Sequence, residues 1–197
     1  MKNFTQPKGA ILLFLLTLLI SLFLAPALRA QVLLEENFDA TTMGDLPTGW
    51  ADNGNAFSNV TNSQACAGNA YRLNLYNGNI SGFLDSPVIP RGNTPGKVNV
   101  SFDLRVADYN NSAQLTGTGR VFVQLRVNGM FNQDFIAIDP IALTNCERQS
   151  VTFPASTIPL GADLQIRFLG TWGSGDWAYV VDNVRVRALP DDCVDAV

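Results

Sequence analysis

The chain has 197 residues, 47% of them hydrophobic and 15% charged, and it contains no histidine. That length suits one domain plus a targeting segment. The missing histidine excludes Ser-His-Asp and Cys-His hydrolase arrangements and His-liganded zinc or iron, and the net charge of −4 argues against nucleic acid, whose binding rests on Lys and Arg contacts to phosphate.

The N-terminus carries Lys2 and Lys8, then an apolar run from Ala10 to Ala25 broken only by Thr17 and Ser21, then Ala25-Pro26-Ala27-Leu28-Arg29-Ala30. Basic, apolar and small-residue regions in that order are the parts of a secretory signal peptide, so residues 1–30 are expected to be one, cut after Ala27 or Ala30. The uninterrupted apolar stretch is shorter than the roughly 20 residues a spanning helix needs. Beyond Ala30 no apolar run could span a bilayer, and ten basic residues face seventeen acidic ones, a charge of −7. The expected location is secreted, at the cell surface or in the periplasm. Export permits disulfides. Of Cys66, Cys146 and Cys193, the first two lie inside the domain and are the expected pair, while Cys193 lies beyond the last strand.

From Gln31 the pattern is short strands broken by Gly, Asn, Pro and Asp. In chain order, strands are expected at Val32–Phe38, Ala56–Val60, Tyr71–Leu75, Ile80–Leu84 and Pro87–Pro90. Lys97–Val106 is the clearest: Val98, Val100, Phe102, Leu104 and Val106 alternate with polar residues, the period of a half-buried antiparallel strand. Arg120–Val127 reads the same way, and Asn128-Gly129 gives a tight hairpin into Phe131–Ile138. Gln149–Phe153, Asp163–Leu169 and Ala178–Ala188 follow. Loops are expected at Ala51–Asn55, Tyr109–Gly119 and Gly170–Asp176, and Leu189–Val197 reads as a tail or linker. About ten strands with turn signals between them predict an all-β, two-sheet antiparallel sandwich of the jelly-roll kind over residues 31–188.

The last strand holds an acid. By strict alternation Asp182 shares a face with Ala178, Val180, Val184 and Val186, while Tyr179, Val181, Arg185 and Arg187 lie on the wet face. A buried carboxylate requires a cation or several hydrogen bonds. Two readings stay open: backbone amides alone, or a Ca²⁺, for which six to eight oxygens must converge and Glu35, Glu36 and Asp39 are on offer.

Glu36-Asn37-Phe38-Asp39, Leu46-Pro47-Thr48-Gly49-Trp50 and Val181-Asp182-Asn183-Val184-Arg185-Val186, in this order, resemble the exported jelly-roll domains called choice-of-anchor J or cleaved-adhesin domains, common in Bacteroidetes. These are similar in plan to MAM domains and jelly-roll carbohydrate-binding modules. The resemblance covers Val32 to Ala188 and implies adhesion or carbohydrate binding, with a structural calcium held at the positions of Asp39 and Asp182. Two positions depart from the commoner pattern: Asp39 stands where Glu is frequent, and Asn183 where a second Asp is frequent. Both keep an oxygen, with fewer charges toward a metal.

No carboxylates are grouped by sequence as a glycosidase pair, and Gly170-Thr171-Trp172-Gly173-Ser174-Gly175 precedes a strand and carries no Lys, so it is no phosphate loop. Binding is the expected role. A sugar ring offers an apolar face and hydroxyl edges, so exposed aromatics beside polar side chains are the candidates. Trp172, Tyr76, Tyr109 and Arg126 lead them, with Phe131 as a further aromatic near a turn and Asn74, Asn77, Arg105, Asn110 and Gln124 as further polar side chains; Trp50 and Trp177 read as core. The expectation is a non-catalytic module for a glycan or cell-surface partner. A structural assembly domain without a small ligand is the alternative, and a glycan-active enzyme ranks last.

Overall fold

The computed structural model describes residues 30–53, 58–109, 117–138 and 145–190. The signal-peptide reading apart from Ala30, most of the tail with Cys193, and most of the loop after Tyr109 lie outside the described residues. Within them the chain is all strand and turn: β1 (Gln31–Glu36), β2 (Ala51–Asp52), β3 (Ser58–Thr61), β4 (Ala70–Leu75), β5 (Ser81–Asp85), β6 (Ile89–Pro90), β7 (Lys97–Asp108), β8 (Thr118–Val127), β9 (Met130–Ile138), β10 (Glu147–Phe153), β11 (Asp163–Ser174) and β12 (Trp177–Leu189). They form two six-stranded antiparallel sheets packed as a sandwich. One sheet runs β10-β7-β12-β4-β3 with β1 also on β12; the other runs β2-β5-β11-β8-β9 with β6 also on β11.

Alternation explains the core. Val98, Val100, Phe102, Leu104 and Val106 of β7 face Val121, Val123 and Leu125 of β8 and Leu164, Ile166 and Phe168 of β11, all 0–1% exposed. Phe102 meets Phe168 edge-on with ring centres 5.0 Å apart, a favoured aromatic geometry. Trp50 and Trp177 are core as expected, Trp50 against Phe38 at 5.3 Å. Asn128 and Gly129 turn the β8–β9 hairpin with φ of 51° and 76°, the left-handed pair that a two-residue turn of this hand requires.

Several boundaries differ from the sequence reading. Ala51–Asp52 pairs with β5 instead of opening a loop. Gly170–Ser174 continues β11, paired with Thr118–Val121 of β8, so neither this segment nor Thr118-Gly119 is loop. The glycines there suit a strand because close neighbours leave no room: a Cβ on Gly170 would strike Leu75 and Tyr179 of the facing sheet.

The larger correction concerns β12. Its register against β7 shifts between Asp182 and Arg185, and Asn183 takes a φ of 49°. This bulge inverts the parity. Trp177, Tyr179 and Val181 point into the core before it, and Val184 and Val186 after it. Asp182 therefore shares the outer face with Ala178 and Val180, opposite to the valines that follow, and Tyr179 and Val181 are not wet. Asp182 is nevertheless buried, because segment 62–69 lies across it. Disulfide Cys66–Cys146, with Cα atoms 5.5 Å apart, ties that segment to the start of β10.

Candidate functional site

Two places gather polar side chains on the outer faces. The first is a junction beside β12. β4 pairs with Trp177–Val181 and β1 with Val184–Ala188, so both leave Asp182 and Asn183 uncovered on that edge. Segments 37–39 and 62–69 close the gap. Asp182 accepts hydrogen bonds from the Ala67 amide at 3.2 Å and the Asn183 amide at 2.6 Å. Asp39 Oδ1 accepts from the Asn69 amide at 2.8 Å, and Asn37 donates to Oδ2 at 3.1 Å. The two acids thus hang from one stretch of backbone, residues 67–69. Gly68 lies between them at φ +54°, and a Cβ there would overlap the Asp39 carboxylate.

Desolvation pushes the Asp182 carboxyl up to about 6; its two backbone donors pull it down, and the charges of Asp103 and Asp39 push it up further. Asp39 and Asp182 fit calcium as two hard oxygen donors whose mutual repulsion a cation would remove. Glu36 does not join them. Its Oε1 accepts the Phe38 amide at 2.7 Å, closing a turn in which Phe38 has a φ of 60°. Among the described residues no three acidic or sulfur side chains are grouped to hold a metal, so the remaining ligands would be carbonyls or water. A cleft of about 690 Å³ adjoins the junction. Four of its ionic side chains pair with one another, Arg185 with Glu35 and Arg148 with Asp103 at 3.1 Å, while Glu36 accepts the Phe38 amide.

The four side chains expected to bind ligand are not brought together. Trp172 is half-buried on β11, packed against the core, with its indole N–H donating to Gly175 O at 2.7 Å. Tyr76 closes the Tyr76–Asn79 turn, its ring over Gly78. Tyr109 stacks under the Arg72 guanidinium at 4.7 Å, beside segment 62–69. Arg126 stands on β8, in the same sheet as Trp172, and with Trp172 opposite Gly119 is separated from it by about 23 Å of strand.

Arg126 marks the second place, the outer face of the β2-β5-β11-β8-β9 sheet. Directly opposed residues share a face, so the registers lay the side chains out in rows. One row is apolar: Phe122, Leu169 and Phe83. The next is polar: Asp134, Gln124, Arg167 and Asp85. Beside it stand Phe131, Arg126 and Gln165. Arg167 fixes the centre. Its guanidinium lies 3.9 Å over the Phe83 ring and makes two 2.6 Å bonds to Asp85, a bidentate, charge-assisted pair. Gln124 donates to Asp134 at 2.8 Å, and Gln165 to Ser86 O at 2.9 Å.

Solved structures of similar fold exist. A carbohydrate-binding module, TmCBM61, crystallised with β-1,4-galactotriose, superposes with a TM-score of 0.53 at 12% identity over 77% of this chain and 93% of that one. The CBM22-1 xylan-binding domain of Xyn10C from Paenibacillus barcinonensis does so with a TM-score of 0.52 at 15% identity, covering 83% of this chain and 98% of that one. The Stig cyclase Fisc from Fischerella sp. TAU gives a TM-score of 0.59 at 20% identity, covering 83% of this chain and 100% of that one. The likeness is one of fold. No family model and no curated protein matches the sequence.

The sequence reading reached Arg126, Gln124 and Phe131 but missed Phe83, Asp85, Phe122, Gln165 and Arg167 as a group. Parity within each strand carries part of the signal, since Phe122 alternates with the same inward valines as Gln124 and Arg126. Which strands lie side by side is the part it does not carry.

Proposed function

We propose that this chain is a non-catalytic glycan-binding module, exported, and of the choice-of-anchor J or cleaved-adhesin type. The observation that carries the proposal is the banded outer face of the β11 sheet, an apolar row of Phe122, Leu169 and Phe83 beside a row of amides and charges. A pyranose ring presents the complementary pattern, C–H faces and hydroxyl edges, and a rigid sheet holds both at low entropic cost. The fold shared with a module crystallised with β-1,4-galactotriose and with a xylan-binding domain supports this reading. So does the meeting of the three resembling segments: Phe38 packs on Trp50, and Asp39 and Asp182 share residues 67–69. The disulfide suits an oxidising compartment.

The test is a glycan array followed by calorimetry on the oligosaccharides it retains. Phe122→Ala is expected to weaken binding about tenfold or more, as loss of a central aromatic contact does, with an unchanged melting temperature. A blank array, or Phe122→Ala and Gln124→Ala binding as well as the parent, defeats the proposal. Turnover of a retained glycan, lost on changing one carboxylate, would defeat its non-catalytic part. Calcium between Asp39 and Asp182 belongs to the same reading as a structural ion: chelator should lower the melting temperature and calcium restore it. An unchanged transition, with no metal by elemental analysis, removes the ion.

A further inference from the structure

Around Asp85 the β11 sheet face carries two guanidiniums for one carboxylate. Asp85 is buried, and both of its oxygens are committed to Arg167 at 2.6 Å. Arg126 leans toward the same carboxylate across Gln165, its strand partner, but its Nη1 stops 3.9 Å from Oδ2, outside hydrogen-bond distance. Its Nε is buried and, among the described residues, has no hydrogen-bond partner. The side chain is only 28% exposed. A guanidinium in that position keeps part of its water shell stripped while the counter-charge beside it is already used. The other acids of the face do not take up the deficit. Asp134 is held by Gln124, and among the described residues Asp163 makes no ion pair with Arg126, whose nearest carboxylate is that of Asp85. Phe131 of β9 flanks Arg126 on its other side.

Resting on the glycan-binding reading above, we propose that the ligand of this face is an anionic glycan, and that Arg126 receives its carboxylate or sulfate while the Phe122–Leu169–Phe83 row receives an adjacent ring. Planar, two-pronged donation to an oxyanion is what guanidinium offers. Uronate and sulfate sugars share that chemistry. The chain as a whole is acidic, with a net charge of −4, so long-range repulsion works against an anionic polymer and a preference for one must come from a local site.

The experiment measures retention of the purified protein in affinity gels containing polygalacturonate, the same polymer fully methyl-esterified, dextran sulfate, or neutral galactan. Preference for polygalacturonate over its methyl ester by about tenfold, weakened by salt, is the expected result if the anion is a carboxylate; preference for dextran sulfate alone assigns sulfate. Arg126→Gln should abolish the preference and Arg126→Lys should retain part of it, both with the parent's melting temperature. If galactan and the methyl ester are retained as strongly as the anionic polymers, or Arg126→Gln changes nothing, the proposal falls while glycan binding stands. If no polymer is retained and the glycan array is blank, both fall. Should Arg126→Gln fail to fold, the ester comparison on the parent protein decides alone.

Discussion

At the scale of single residues, Asp182 shows how backbone geometry sets chemistry. It is 1% exposed yet stands on the outer side of its sheet, and its carboxyl is raised to about 6, chiefly by desolvation. A folded-state value above the unfolded one means that the folded protein binds the proton more tightly. In chelator, stability from this group is therefore full below about pH 4 and is lost as pH rises through about 6. Thermal melts across that window should show the decline, and Asp182→Asn should flatten it. Calcium should raise the melting temperature more at pH 7 than at pH 5, since only the ionised acid attracts it. Gly68→Ala tests the same junction from the other side. It forces a side chain at φ +54° into the Asp39 carboxylate, so about 1–3 kcal/mol of stability and most of the calcium response should go.

At the scale of elements, segment 62–69 is held by side-chain and backbone contacts: Gln64 to Asp108 O at 2.8 Å, Arg105 to Gln64 O at 3.3 Å, and Ala67 to Asp182. The Cys66–Cys146 bridge adds a cross-link between residues 80 apart. Closing a loop that long stabilises by about 4 kcal/mol in the chain-entropy account. Reduction should lower the melting temperature and speed amide exchange at residues 62–69 before the strands exchange, because this cover buries little apolar surface. Uniform exchange across β12 and the segment would show instead that they open as one unit. Ser86 does comparable work in the other sheet. It fills the space between β5 and β6 by bonding both backbone groups of Ile166, at 2.9 and 3.0 Å. Its place among the contacts of β11 explains why so short a residue is fully buried.

At the scale of the whole molecule, the sandwich places the acid junction and the banded face on opposite outer surfaces, one on each sheet. The core between them is continuous and rigid. Effects at the two surfaces should therefore add. Chelator should cost a Phe122→Ala variant the same drop in melting temperature as the parent, and Asp39→Ala should leave glycan affinity within about twofold. Coupling well above that size would mean that the metal junction shapes the binding face through the core.

Strand content and the inward set of β7, β8 and the first part of β11 were legible because period-two alternation is a local property, and a buried sheet face enforces it. The hairpin at Asn128-Gly129 was legible for a similar reason of residue type, whereas three cysteines favoured the Cys66–Cys146 pair without fixing it, and the fold decided it. Alternation misplaced Asp182, because a bulge moves every later side chain to the opposite face without leaving a mark in residue pattern. Glu36 looked available as a metal ligand, and the turn at Phe38 takes one of its two oxygens. Trp172 looked like a loop platform until β11 proved to continue through its glycines. The grouping of Phe83, Asp85, Arg167, Gln124 and Arg126 depends on strands that are distant in the chain becoming neighbours. Side-chain type and spacing thus sufficed for the layers of this protein, while its two polar surfaces follow from strand order and register, which only long-range pairing sets.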